Sequence, residues 1–321
     1  MADRFRFAPA AVMLAVVTAF AAGARAEAIV VRAKPVLLHS FDPSVMRVGR
    51  LEYRGGLQLS SADTRFGGLS GLLVSADGRY LTAISDRGYW FEAGLVYDRS
   101  GLLARIDEAS VRELRAPNGK SIARRPAGNA EGLAPGAAGK GVVVSFEMQP
   151  KLLLYPAGGG PPVRLKSPPG LEQAPRNEGI EALTRLADGR LLALTEGLRA
   201  RDGMIGWVGG GLRWSTVTWR TGAGFQPTGA TTLPDGDVLV LERRILPPGA
   251  RVRLLKSADI AEGAALDGNE IARFEGALTF DNLEGIDARR NDDGETLVYL
   301  VSDDNYSFLQ RTLLSMFRLV E

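Results

Sequence analysis

Acidic residues recur along this chain at spacings that would let them share one chemical site. The phrases Ser70-Gly71-Leu72, Glu131-Gly132-Leu133, Glu178-Gly179-Ile180, Thr228-Gly229-Ala230 and Glu284-Gly285-Ile286 return about every 47 to 61 residues. About 14 to 19 residues after each phrase, an apolar run ends in Asp86, Glu147, Glu196, Glu242 or Asp303-Asp304. Glu181 and Asp287 each follow a phrase glutamate by three residues. If equivalent places in repeated units converge, several carboxylates meet at one point. Two such groups about 4 Å apart repel by about 4 kcal/mol at an effective dielectric of 20. A group of three therefore needs protonation, arginine partners or a bound cation. Oxygen ligands in this number suit Ca²⁺ or Mg²⁺, whereas zinc and copper prefer histidine or cysteine. The expectation is a Ca²⁺ site drawn from Asp86, Glu131, Glu178, Glu284 and Asp303. The alternative is that these acids cap strands and pair with Arg87, Arg176, Arg243 and Arg244, with no ion.

The rest of the composition narrows the chemistry. There is no cysteine and a single histidine, His39, in an N-terminal strand candidate beside Leu37-Leu38. Thiol nucleophiles, thiolate metal sites and the Arg-His-Gly nucleophile of histidine acid phosphatases are excluded. No Gly-x-Ser-x-Gly elbow is present, and Gly209-Gly210-Gly211 lacks the Lys-Ser/Thr of a phosphate loop. If the chain is an enzyme, metal-assisted hydrolysis is the mechanism left. A cation would polarise an ester or phosphoryl oxygen and acidify a bound water, while Glu178 or Glu284 accepts the proton. Arg87, Arg176 and Arg311 are the candidates for holding a small anionic or ester substrate in bidentate fashion.

These residues must be positioned by strands. Asp-Gly pairs at 77–78, 188–189 and 235–236, with Asn291-Asp292-Asp293-Gly294, stand between apolar runs and predict hairpins, because glycine takes the positive φ such turns require. Each unit continues with one or two more strand candidates, near 94–98 with 101–106, 151–155 with 162–165, 213–219, 252–255 and 313–320. Three or four antiparallel strands per unit, repeated in series, predict an all-β fold, a β-propeller of five or six blades. A β-sandwich also has closely spaced strands but gives no reason for the recurring phrase. N-terminal strands near 36–38 and 49–59 are expected to close the ring against the last unit, protecting its edges. The glycine of each phrase would let innermost backbones approach closely. Trp207, Trp214, Trp219 and the run Tyr89-Trp90-Phe91 are expected to pack between blades.

The same stretches resemble the family known as esterase-like activity of phytase, exported bacterial proteins with a propeller-like domain. The resemblance is carried by Gly68-Leu69-Ser70-Gly71-Leu72, Ser85-Asp86-Arg87-Gly88 and Asn177-Glu178-Gly179-Ile180-Glu181. It continues through Asn282-Leu283-Glu284-Gly285-Ile286-Asp287 and Val301-Ser302-Asp303-Asp304-Asn305 to Gln310-Arg311-Thr312-Leu313. It spans about residues 50 to 320 and implies hydrolysis of a phosphate or carboxylic ester. A non-catalytic propeller that binds a ligand or protein partner, with any calcium purely structural, is the reading from another class.

The first 26 residues have the pattern of a cleaved export signal. Arg4 and Arg6 precede an apolar stretch from Ala8 to Gly23, and Ala24-Arg25-Ala26 offers small residues for cleavage. The stretch is too short to span a bilayer, which takes about 20 residues. The expected product is one domain, 27–321, periplasmic or secreted, with no membrane span once the signal is removed. The full chain carries 39 basic and 37 acidic residues, a net +2. The first 26 hold three arginines and one aspartate, so the remainder is neutral and offers no field for nucleic acid.

Overall fold

A computed structural model describes residues 26–211 and 213–321. The expected signal at 1–26 lies outside the described residues, Ala26 excepted. Five antiparallel sheets form a five-bladed β-propeller, which settles the blade number left open between five and six. From the axis outward, the first blade comprises Leu69–Val74, Tyr80–Ser85, Tyr89–Tyr97 and Leu103–Glu113, with Glu27–Ala28 outside it. The second comprises Ala130–Pro135, Val142–Phe146, Lys151–Tyr155 and Val163–Arg164. The third comprises Ile180–Arg185, Leu191–Ala200, Gly203–Gly210 and Arg213–Trp219, bordered by the short parallel strand Ala265–Leu266. The fourth comprises Gln226–Thr232, Val238–Arg244, Gly249–Leu255 and Asn269–Phe274.

The fifth blade is made from both ends of the described chain. Asn282–Arg290, Thr296–Asp303 and Thr312–Leu319 are followed outward by Leu51–Ser61 and then Val31–Pro35. The pairing of Leu57 with Leu314 and of Leu51 with Leu319 closes the ring as expected. The turn glycines Gly78, Gly189, Gly236 and Gly294 all have positive φ, between +73° and +96°, so each predicted hairpin is present. Gly211 likewise sits in the turn between Gly203–Gly210 and Arg213–Trp219, not in a phosphate loop.

Alternating side chains fill the gaps between blades. Phe91, Tyr299 and Met316 are buried between the fifth and first blades, and Trp90, Phe146 and Tyr155 between the first and second. Trp207 lies between the second and third, Trp219 between the third and fourth, and Phe274 and Phe317 between the fourth and fifth. The tryptophans thus belong to core, except that Trp214 is only half-buried and donates its Nε1–H to Lys166 O at 3.0 Å. Toward the axis, glycine is required. A Cβ on Gly132 would stand 2.8 Å from Leu183 Cβ and 2.9 Å from Glu181 O in the next blade. One on Gly285 would stand 2.3 Å from Ser70 O, across the closing junction. All three distances are below any real Cβ contact, so the inner strands meet backbone to backbone there. Among the described residues, no helix is long and apolar enough to cross a membrane.

Candidate functional site

Each inner strand begins with a register shift against its neighbour. In the third blade Ile180 pairs with Thr195 and Ala182 with Leu194, so Glu181 is the extra residue. In the fifth, Leu283 pairs with Ser302 and Gly285 with Val301, leaving Glu284 extra. Thr228 is extra in the fourth, and comparable shifts surround Ser70 in the first and Glu131 in the second. A bulge increases local twist and re-aims its side chain. Here the five bulges set Ser70, Glu131, Glu181, Thr228 and Glu284 in one ring at the channel mouth.

The second strands end beside this ring. Ser85, Phe146, Thr195 and Ser302 pair with Leu69, Ala130, Ile180 and Leu283, so the next residues, Asp86, Glu147, Glu196 and Asp303, are equivalent. In the fourth blade Glu242 pairs with Pro227, which gives the equivalent place to Arg243. Glu242 faces the other way. It is fully buried and accepts hydrogen bonds from Trp219 Nε1 at 2.9 Å and Arg251 Nε at 2.5 Å. Among the acids expected at the mouth, it is instead a core ion-pair partner.

Three carboxylates form the tightest group. One oxygen each from Glu131, Glu147 and Glu181 lies within 4.8 Å of the others, and all three residues are buried. Burial, then the neighbouring Glu181 and Glu147, holds the Glu131 carboxyl well above the usual carboxylate range. Burial, followed by Glu147 and Glu196, does the same to Glu181. Burial also raises Glu147, although the Gly179 N–H opposes it. Asn129 Nδ2 donates to Glu147 Oε1 at 2.5 Å, but Glu181 Oε1 is buried with no partner. An unsatisfied, desolvated carboxylate oxygen among other carboxylates has the chemistry to bind a cation or to carry a proton.

The remaining acids divide around the ring. Arg243 donates through Nη2 to both Glu196 oxygens at 3.2 Å, and its Nη1 lies 3.1 Å from Glu284 Oε1. Glu284 also accepts from Asn282 Nδ2 at 2.8 Å, yet burial pushes it up to about 8. Asp303 is raised to about 7 by burial and by Asp86, and Asp86 to about 6 by burial, which Arg87 partly offsets. Asp287, deeper along its strand, accepts from Val74 N and Thr231 Oγ1 and is not part of the mouth.

The expected residues therefore separate. Glu131 and Glu284 stand in the inner ring, with Asp86 and Asp303 on the second-strand ends beside it. Glu178 does not share the bulge position. It lies in the loop before the strand, its N–H bonded to Pro175 O, and its carboxylate packs against Gly197. Glu181 holds the place the phrase assigned to Glu178. Counting back eight residues from the turn glycines Gly78, Gly189 and Gly236 reaches Ser70, Glu181 and Thr228, a signal that finds the true phase. Of the expected arginines, Arg87 stacks 3.3 Å above the Tyr306 ring and faces the mouth cleft. Arg176 is exposed in the loop before the third blade. Arg311 is bound to Asp281 Oδ2 at 3.3 Å and to Phe280 O. His39 lies on an outer bridge to Leu278 and accepts the Phe41 N–H, a structural position.

A cleft of about 420 Å³ opens beside the carboxylate group, lined by Asp86, Arg87, Arg124, Arg125, Asn129 and Asn177 among others. Arg124, Arg125 and Asn129 were not singled out from sequence, because the loop that carries them is unique to the first-to-second blade connection. The cleft thus joins an arginine-lined rim to a carboxylate floor through the Asn129–Glu147 hydrogen bond.

Comparison with known proteins gives a family. The model for the family described as "Phytase-like: Esterase-like activity of phytase" matches residues 64–306. No curated protein matches. Among solved structures, the chain is similar to the β-propeller domain of Cps50 (Swd1) from Myceliophteria thermophila, at 10% identity and a TM-score of 0.37, covering 76% of this chain and 68% of that one. It is similar to the dihydro-heme d1 dehydrogenase NirN at 16% identity and 0.35, covering 84% of this chain but only 52% of NirN, so it spans about half that protein's length. A luciferin-regenerating enzyme matches at 11% identity and 0.40, covering 78% and 92%.

Proposed function

The chain belongs to the family of esterase-like activity of phytase, and on that premise we propose that it hydrolyses phosphate or carboxylic esters at the channel mouth, with calcium held by its carboxylates. The observation that carries this reading is the buried, unpartnered Glu181 Oε1 within the Glu131–Glu147–Glu181 group, next to an arginine-lined cleft. The donor set fits: three carboxylates and no nitrogen or sulfur ligand match a hard cation. Glu131, Glu147 and Glu181 would hold it, with Asp86, Glu284 and Asp303 nearby. When bound, calcium supplies charge that polarises the substrate oxygen and acidifies water.

The protein's own groups supply the remainder. Arg87, Arg124 and Arg125 bind the anionic group of the substrate, and Tyr306 fixes the orientation of Arg87. Asp86 lines the cleft with Oδ1 unpartnered and a pKa of about 6, suited to accepting a proton near neutral pH. Glu284, engaged by Arg243, and Glu178, beside Gly197, are the other candidates for that role. The export pattern of the first 26 residues supports a periplasmic or secreted protein.

The second reading is a ligand-binding propeller without turnover, in which calcium is structural. Its support is burial: Glu131, Glu147 and Glu181 are at most 9% exposed, and an enclosed ion has no open coordination place. The test is release of phosphate from phytate and of p-nitrophenol from its phosphate and acetate esters, with calcium or with EGTA. The hydrolase reading expects calcium-dependent turnover that falls at least about a hundredfold in Asp86→Asn, compared with Glu178→Gln and Glu284→Gln. No turnover of any ester, with calcium bound, would leave the binding reading in its place.

A further inference from the structure

The channel has a second end, and its chemistry is reversed. Three of the inner strands carry a glutamate near their start, Glu131, Glu181 and Glu284, whereas three carry arginine or threonine where they finish, at Thr184-Arg185, Thr231-Thr232 and Arg289-Arg290. The C-terminal parts of all five inner strands line a cavity of about 470 Å³, which includes Thr184, Arg185, Thr231, Thr232, Arg289 and Arg290. Its volume lies in the range of small-molecule sites.

Three arginines, Arg185, Arg289 and Arg290, line this cavity, and among the described residues no carboxylate stands within ion-pair distance of any of them. Several other arginines do have such a partner, as Arg318 has Glu295 at 2.6 Å and Arg244 has Glu275 at 2.7 Å. Arg185 is instead fixed by two carbonyls, Nε to Pro135 O and Nη1 to Gly189 O, each at 2.6 Å. Arg289 Nε donates to Tyr299 Oη at 3.2 Å, and its guanidinium fills the space above Gly78. Arg290 is exposed. The one acid present is already satisfied: Asp287 accepts from Val74 N at 2.7 Å and from Thr231 Oγ1 at 2.8 Å. Thr184 and Thr232 share one hydrogen bond at 3.1 Å, which uses one of their two hydroxyl protons and leaves the other for a ligand.

Fixed guanidinium groups without a counter-ion, beside a free hydroxyl donor, make a receptor for oxyanions. We propose that this end of the channel is a second binding site, for a small molecule bearing a phosphate or carboxylate group. It is separate from the ester-binding cleft and does not rest on the hydrolase reading, since binding here needs neither calcium nor turnover.

The experiment is calorimetric titration of the full chain, in EGTA, with inorganic phosphate and separately with malonate. In a chain whose Arg124 and Arg125 at the opposite mouth are both replaced by alanine, one saturable anion per chain is expected, weakened about tenfold or more by Arg290→Ala or by Arg289→Gln. Whichever probe binds more tightly identifies the preferred anionic group. Arg290 has no intramolecular partner in this cavity, so Arg290→Ala tests the site even if Arg289→Gln disturbs the fold. Absence of saturation with both probes would overturn the proposal. So would binding that survives both Arg289→Gln and Arg290→Ala, or that is lost only with Arg124 and Arg125.

Discussion

Arg243 occupies in the fourth blade the place that Glu196 holds in the third, and it binds Glu196 through both carboxylate oxygens at 3.2 Å. One change of sign at an equivalent position thus turns a ring of like charges into a partly neutralised one. Glu284 shares the same guanidinium at 3.1 Å.

Replacing Arg243 with methionine leaves Glu196 and Glu284 facing each other in a buried site. Removing one partner of a buried pair costs about 3–5 kcal/mol, so denaturant melts at pH 8 should show a loss of that order. The loss should shrink near pH 5, where Glu284 is protonated in the folded chain.

Glu181→Gln removes the carboxylate whose Oε1 lacks a partner. In EGTA the variant should melt higher than the wild type, because one of three mutually repelling acids has gone. Calcium, which should raise the wild-type melting temperature by mass action, should raise that of the variant far less. Scanning calorimetry with and without calcium measures both effects, and an equal calcium shift in the two proteins would remove Glu181 from the cation site.

The metal-free protein should lose stability as pH rises. Glu284, Asp303 and Asp86 hold protons to about 8, 7 and 6 when folded, against about 4 for ordinary carboxylates when unfolded. Between about pH 4 and pH 8 the folded state therefore binds more protons than the unfolded one. Linkage then makes stability decline with pH across that window and level off above it. In EGTA the melting temperature should be roughly 5 °C or more lower at pH 8.5 than at pH 5.5. Calcium binding should tighten over the same window, because the ion displaces those protons.

Gly132→Ala should cost about 1–3 kcal/mol, since the added methyl meets Ser145 Oγ, Leu183 Cβ and Glu181 O, all closer than 3.0 Å. Gly158→Ala, where a Cβ would meet nothing within 4 Å, is the matched control. Equal melting midpoints for the two variants would contradict the backbone-to-backbone contact of inner strands.

The propeller could be read from sequence because hairpin turns and recurring phrases are local. Asp77-Gly78 or Asp188-Gly189 fixes a turn with no help from distant residues, and the recurrence of such units implies a ring. Blade number also required the pairing of Leu51–Ser61 with Thr312–Leu319, which no local pattern reports. The site was only partly legible, because a single residue of register decides which way a side chain points. Glu178 and Glu242 match the recurring pattern by residue type yet miss the two positions per blade that form the ring. Glu178 precedes its strand, and Glu242 lies one position short of the place held by Arg243. Arg124, Arg125 and Asn129 come from an unrepeated loop, so repetition could not mark them.

The fifth blade has a temporal consequence. Its fourth strand, Leu51–Ser61, leaves the ribosome long before the neighbour it needs, Thr312–Leu319. Until that neighbour is made the growing protein is an open arc whose end sheets lack covers, and only then can it clasp itself shut. A truncated product is thereby left with sticky, unsatisfied edges that proteases and chaperones can recognise.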